Sequence, residues 1–122
     1  MSSLVPEGFS IVPSDSVPSI TLDNQRRFYV NTSARRLLGI KPYERLAIAY
    51  KPGTHELAII RPSSDSDISA LATSQYNVDK RYYMSARYFA KEYGYDSKGA
   101  PYIFAYKNGR SDGKVFVFQL RD

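Results

Sequence analysis

Few side chains in this chain of 122 residues have a type and spacing suited to chemistry. His55 is the single histidine, and its segment, KPGTH, has the composition of a hairpin turn, so it is expected to be a solvated turn residue rather than a base. The chain has no cysteine, which excludes disulfides, a thiol nucleophile and thiolate metal sites. It has no histidine pair for a metal and no glycine-rich loop of the kind that cradles phosphate. Asp65 and Asp67 are the nearest paired carboxylates, but they lie in the serine-rich stretch RPSSDSDISA and are expected to solvate it; Ser63, Ser64 and Ser66 beside them show no sign of modification. The expectation is a protein that is not an enzyme and uses no cofactor or metal.

Charge says more than nucleophiles do. Lys and Arg number 17 against 12 Asp and Glu, for a net charge of +5. Residues 20–61 and 76–122 carry all of the excess, whereas 1–19 and 62–75 are mildly acidic. Positive charge on the segments that look folded favours a polyanionic partner. Arginine suits such a partner because its planar fork grips phosphate or a guanine edge in pairs. An isolated Arg35-Arg36 pair, taken alone, is no more than a solvated helix face.

Tyrosine is the other uneven residue. Eight of eleven fall in the second half, at Tyr76, Tyr82, Tyr83, Tyr88, Tyr93, Tyr95, Tyr102 and Tyr106. They suit three roles: core and strand packing with a hydroxyl in water, a protein-binding surface, or a platform for the bases of a single strand.

The elements that hold these residues come in a repeated order. IAYKPG at 48–53 returns as FAYKNG at 104–109. Around it, ITLDNQRRFYVNTSARRLLGIKPYERLAIAYKPGTHELAIIRP aligns with YNVDKRYYMSARYFAKEYGYDSKGAPYIFAYKNGRSDGKVFVFQL. In that alignment Arg27 to Val30 fall on Arg81 to Met84, and Leu57 to Ile60 fall on Val115 to Phe118. Each copy predicts strand, strand, helix, strand, strand. RFYV and RYYM have strand composition. Asn31, Thr32 and Ser85 are candidate helix caps, and Gly39 and Gly94 suit left-handed helix ends. Ala34, Leu37 and Leu38 form one helix face, and Phe89, Ala90 and Tyr93 the other. RLAIAY with ELAIIR, and YIFAY with KVFVFQL, close each copy as hairpins. The organisation expected is a tail at 1–14 (in which Phe9, Ile11 and Val12 can pack along an edge), a unit at 15–61, a linker at 62–68 and a second unit at 69–122.

LDNQRRFYVNTSARRLLGIKPYERLAIAY resembles the AbrB/MazE/MraZ group of swapped-hairpin domains. The positions that carry the resemblance are Asp23, Arg27, Val30, Arg35, Leu38, Gly39 and Ile40. Arg26 replaces a turn glycine and Asn31 a helix-opening proline; the first departure implies a different turn conformation, and in the second copy the turn is a residue shorter. The resemblance implies a β-rich α+β fold in which two tandem ββαββ units form one swapped-hairpin β-barrel with pseudo-twofold symmetry, as a monomeric pseudodimer or a homodimer. Two units sharing a core also escape the marginal burial of a unit of ~45 residues.

By the same resemblance, duplex DNA is the partner and transcription regulation the role. The contacts it implies are Arg26, Arg27, Arg35 and Arg36 in the first unit, with Lys80, Arg81, Arg87 and Lys91 as their counterparts in the second. The alternative is a protein-interaction module using the tyrosine-rich second unit or the N-terminal arm; the end of the chain directly after a predicted strand counts against an antitoxin. MSSLVPEGFS lacks the features of a secretory signal and no apolar run approaches a bilayer span, so a cytoplasmic protein without membrane contact is expected.

Overall fold

The computed structural model describes residues 4–9, 17–61, 75–110 and 113–121. The 62–68 linker, Asp65, Asp67, Ile11 and Val12 lie outside the described residues. Of the tail, Leu4 and Phe9 are exposed.

The chain runs β1 (Ser19–Leu22), β2 (Arg27–Val30), α1 (Thr32–Leu38), β3 (Arg45–Lys51) and β4 (Glu56–Ile60). It continues through β5 (Gln75–Asn77), β6 (Tyr83–Ser85), α2 (Arg87–Tyr93), a short 3-10 turn (Ser97–Gly99), β7 (Tyr102–Gly109) and β8 (Val115–Leu120). Among the described residues all pairings are antiparallel, in the order β5-β3-β4-β8-β7-β1-β2-β6, and eight strands make a nearly closed β-barrel with two helices.

Alternation along the strands sends one set of side chains inward. Ile20 and Leu22, Phe28 and Val30, and Leu57 and Ile59 are buried in this way. Phe28, Phe104 and Phe118 are the largest fully buried side chains and lie on three different strands. The helices add Ala34 and Leu38 from α1 and Phe89 and Ala90 from α2. Of the two expected helix faces, only Tyr93 stands largely out of the core.

Asn31 caps α1: its Oδ1 accepts from Ala34 N at 2.9 Å and from Ser19 N at 3.1 Å, while its Nδ2 donates to Val17 O and Ser19 Oγ. One buried amide thus ties the helix start to β1. Ala86 holds the cap position of α2 and makes no side-chain bond, so Ser85 does not serve as a cap. Gly39 and Gly94 end the helices with φ of 65° and 74°, a conformation that costs other L-residues about 1 kcal/mol or more.

Two expectations from the alignment are corrected. RYYM does not form the second strand of the second half; the strand is Tyr83–Ser85 and Tyr82 lies in the turn before it. Leu57 lies opposite Phe118, and Tyr50–Leu57 matches Tyr106–Phe118 in its hairpin, so Leu57 corresponds to Phe118 rather than to Val115. The longer second hairpin loop and a bulge between Tyr106 and Asn108 shift that register.

Candidate nucleic-acid interface

The site begins in the turn between β1 and β2. Asp23 Oδ1 accepts from the backbone N–H groups of Gln25 and Arg27, each at 2.9 Å, and Arg26 N donates to Asp23 O at 3.2 Å. These bonds hold Arg26 at a φ of 58°. Arg26 therefore adopts the left-handed conformation a glycine reaches most easily, instead of forcing a different turn. Its carbonyl accepts from Ala86 N at 2.8 Å, which docks the first turn on the entrance to α2.

The turn between β5 and β6 repeats this bonding. Asp79 Oδ1 accepts from Arg81 N at 2.8 Å and Tyr83 N at 2.9 Å, and Tyr82 N donates to Asp79 O at 3.0 Å. Tyr82 has a φ of 66°, and its carbonyl accepts from Val30 N at 3.0 Å, beside the entrance to α1. The two turns are equal in length. Arg26 thus corresponds to Tyr82 and Arg27 to Tyr83, not to Lys80 and Arg81. At the helix ends, Gly39 N donates to Arg35 O and Gly94 N to Ala90 O, so Arg35 corresponds to Ala90 and only Arg36 finds a basic counterpart, Lys91.

Two of the eight basic residues are engaged by the protein itself. Arg27 pairs with Asp23 at 2.8 Å, and its guanidinium lies 4.1 Å from the centre of the Tyr83 ring. Arg35 donates from Nε to Val30 O and from Nη2 to Tyr29 Oη, and stacks 4.1 Å from the Tyr82 ring. Arg36, Lys80 and Arg81 are exposed and line neither hollow described below.

Arg26 and Arg87, both exposed, sit between two adjoining hollows. The helix-side hollow adds Tyr88, Lys91, Tyr95 and Asp96. The other hollow lies where β5 and β6 face each other without a ladder, and adds Gln25, Arg27, Asn77, Asp79 and Ser85. Asp96 and Asp79 are occupied: Asp96 Oδ1 accepts from Gly99 N at 3.0 Å, and Asp79 braces its turn. Among the described residues Arg26, Arg87 and Lys91 enter no ion pair. The grouping expected from the alignment, one basic cluster per half, is therefore crossed. The first half contributes Arg26 and Arg27, and the second contributes Arg87 and Lys91.

Most tyrosines belong to packing. Tyr95 is 8% exposed, lies 5.3 Å from Phe89 in a stacked pair, and shares a short hydrogen bond with Tyr50 Oη. Burial first, and the Tyr50 bond second, push the Tyr95 phenol well above its ordinary pKa. Burial also raises Tyr76. Tyr50 Oη in turn lies 3.0 Å from His55 Nδ1, so the exposed turn histidine is anchored to this aromatic cluster. Tyr88, by contrast, is 74% exposed.

Among the polar groove members, the sequence left Gln25, Asn77, Asp79 and Asp96 unmarked and marked Ser85 only as a helix cap. Their types and spacing carry no such signal, because Gln25, Asn77, Asp79 and Ser85 come together only where β5 and β6 face each other in the folded chain. No family model, curated protein or solved structure matches this chain. Among the described residues no cluster of His, Cys, Asp or Glu side chains has the makings of a metal site, and no helix is long and apolar enough to cross a membrane.

Proposed function

We propose that this protein binds duplex DNA as a cytoplasmic transcription regulator, through a groove centred on Arg26, Arg87 and Lys91. The observation that carries the reading is the convergence of these exposed cations from both halves of the chain on one groove. In this reading the barrel is built from two tandem ββαββ units of the AbrB-like, swapped-hairpin kind, folded as a pseudodimer within one chain. Three features support it: the strand-strand-helix-strand-strand order occurs twice, the two Asp turns are bonded alike, and each turn docks beside the other half's helix. Phe28 and its counterpart Met84 lie directly opposite one another, as do Leu57 and Phe118, which a twofold axis through those pairs requires.

Phosphate contacts release counterions, so binding falls steeply with salt. Anisotropy of a labelled random duplex at ~50 and ~200 mM salt tests this. Arg26→Ala and Arg87→Ala are each expected to weaken binding and to reduce the log–log salt slope by about 1. Parent protein that fails to bind at the lower salt, or variants that bind like the parent, would remove this groove as a DNA site.

A further inference from the structure

The groove holds an aromatic ring that the fold does not use. Tyr88 is 74% exposed and lines the helix-side hollow beside Arg26, Arg87 and Lys91. It makes no ring contact and no side-chain hydrogen bond among the described residues. Every other described tyrosine except Tyr43, which lines neither hollow, packs against another ring or a guanidinium. An exposed phenol amid cations is a surface for a planar, anionic ligand: the ring stacks on its face while the cations hold flanking phosphates.

A continuous duplex offers no base face to such a ring, because every face is covered by its neighbour in the stack. We infer that the groove accepts an unpaired nucleotide base, stacked on Tyr88 with the adjoining phosphates at Arg26 and Arg87. Two further observations fit this ligand better than bare phosphate. Asp79 and Asp96 line the hollows and offset part of the cationic charge, so phosphate attraction alone is weakened. The adjoining hollow presents the amides of Gln25 and Asn77 and the hydroxyl of Ser85, groups that both donate to and accept from base edges. The protein then prefers duplex ends with single-stranded overhangs, or junctions, over blunt duplex.

This inference rests on the groove being a nucleic-acid face, and the test separates the two. The probes are a labelled blunt duplex and the same duplex with a short overhang of either polarity, titrated with parent, Tyr88→Ala, Tyr88→Phe and Arg26→Ala proteins. The parent is expected to bind an overhang roughly tenfold more tightly than the blunt end. Tyr88→Ala is expected to lose the overhang preference, its loss on the overhang exceeding its loss on the blunt duplex by roughly tenfold, whereas Tyr88→Phe retains the preference and Arg26→Ala weakens both probes. Equal binding of both probes by the parent, or an equal loss on both for Tyr88→Ala, overturns base stacking while leaving the duplex reading standing. Overhang binding without blunt-duplex binding overturns the duplex reading and supports the stacked base. Binding of neither probe overturns both. Because Tyr88 is exposed, a thermal melt of Tyr88→Ala matching the parent confirms that folding is not at issue.

Discussion

Arg26 and Tyr82 make the same bonds in the two halves of the chain: each has positive φ in an Asp-braced turn, and each offers its carbonyl to the other half, Arg26 to Ala86 N and Tyr82 to Val30 N. Their side chains diverge. Arg26 stands exposed in the groove, whereas Tyr82 lies under the Arg35 guanidinium. At one turn the side chain thus stands open beside Arg87, and at the other it is covered by an arginine–tyrosine stack.

That difference predicts a split between stability and binding. Arg35→Ala removes bonds to Val30 O and Tyr29 Oη and the stack on Tyr82, and is expected to cost about 1–3 kcal/mol. Arg26→Ala should change stability by no more than about 0.5 kcal/mol, since its side chain makes no ion pair or hydrogen bond among the described residues. Urea unfolding of both variants, beside the duplex titration, checks the split; a stability loss at Arg26 equal to that at Arg35 would contradict it.

Asn31, buried and bonded to three groups besides its own helix start, is expected to carry more stability than its exposed neighbours. Asn31→Ala deletes the α1 cap and leaves Ser19 N and Val17 O without their partner, for an expected loss of about 3 kcal/mol. Asn31→Asp retains the cap acceptor but loses the Nδ2 donor, and should fall between the two. Thermal melting of the pair orders them.

Gly94→Ala tests the left-handed helix end alone, because nothing lies within 4 Å of the added Cβ. The expected loss is about 1 kcal/mol, from backbone strain. Chemical denaturation measures it, and a neutral result would mean that α2 ends differently.

Alkaline pH should destabilise the fold. Tyr95 and Tyr76 have raised folded-state pKa values, from burial first. Unfolded tyrosine ionises near pH ~10. Above that the unfolded chain loses protons that the folded chain keeps, so stability is intact below about pH 10 and falls as pH rises toward the folded values. Tyr50→Phe removes the hydrogen bond that contributes to the Tyr95 shift, and should make this fall shallower. Melting temperatures at stepped pH values from neutral to strongly alkaline, for parent and variant, give the comparison.

Much of the local structure follows from the sequence itself. Alternating Leu57 and Ile59 mark a strand with one buried face, Gly39 and Gly94 mark helix ends, and Asn31 marks a cap, because each signal is written within a few residues. The register of the second Asp turn was not legible in the same way. Arg81-Tyr82-Tyr83-Met84 has the composition of a strand, yet Arg81 N and Tyr83 N both donate to Asp79 Oδ1 and Tyr82 N donates to Asp79 O, which keeps Arg81 and Tyr82 in the turn. Tertiary structure alone decided the groove. Arg26 meets Arg87 and Lys91 because Ala86 N bonds Arg26 O across 60 residues of chain. A contact made by backbone atoms leaves no mark on side-chain identity, so no spacing in the sequence announces it.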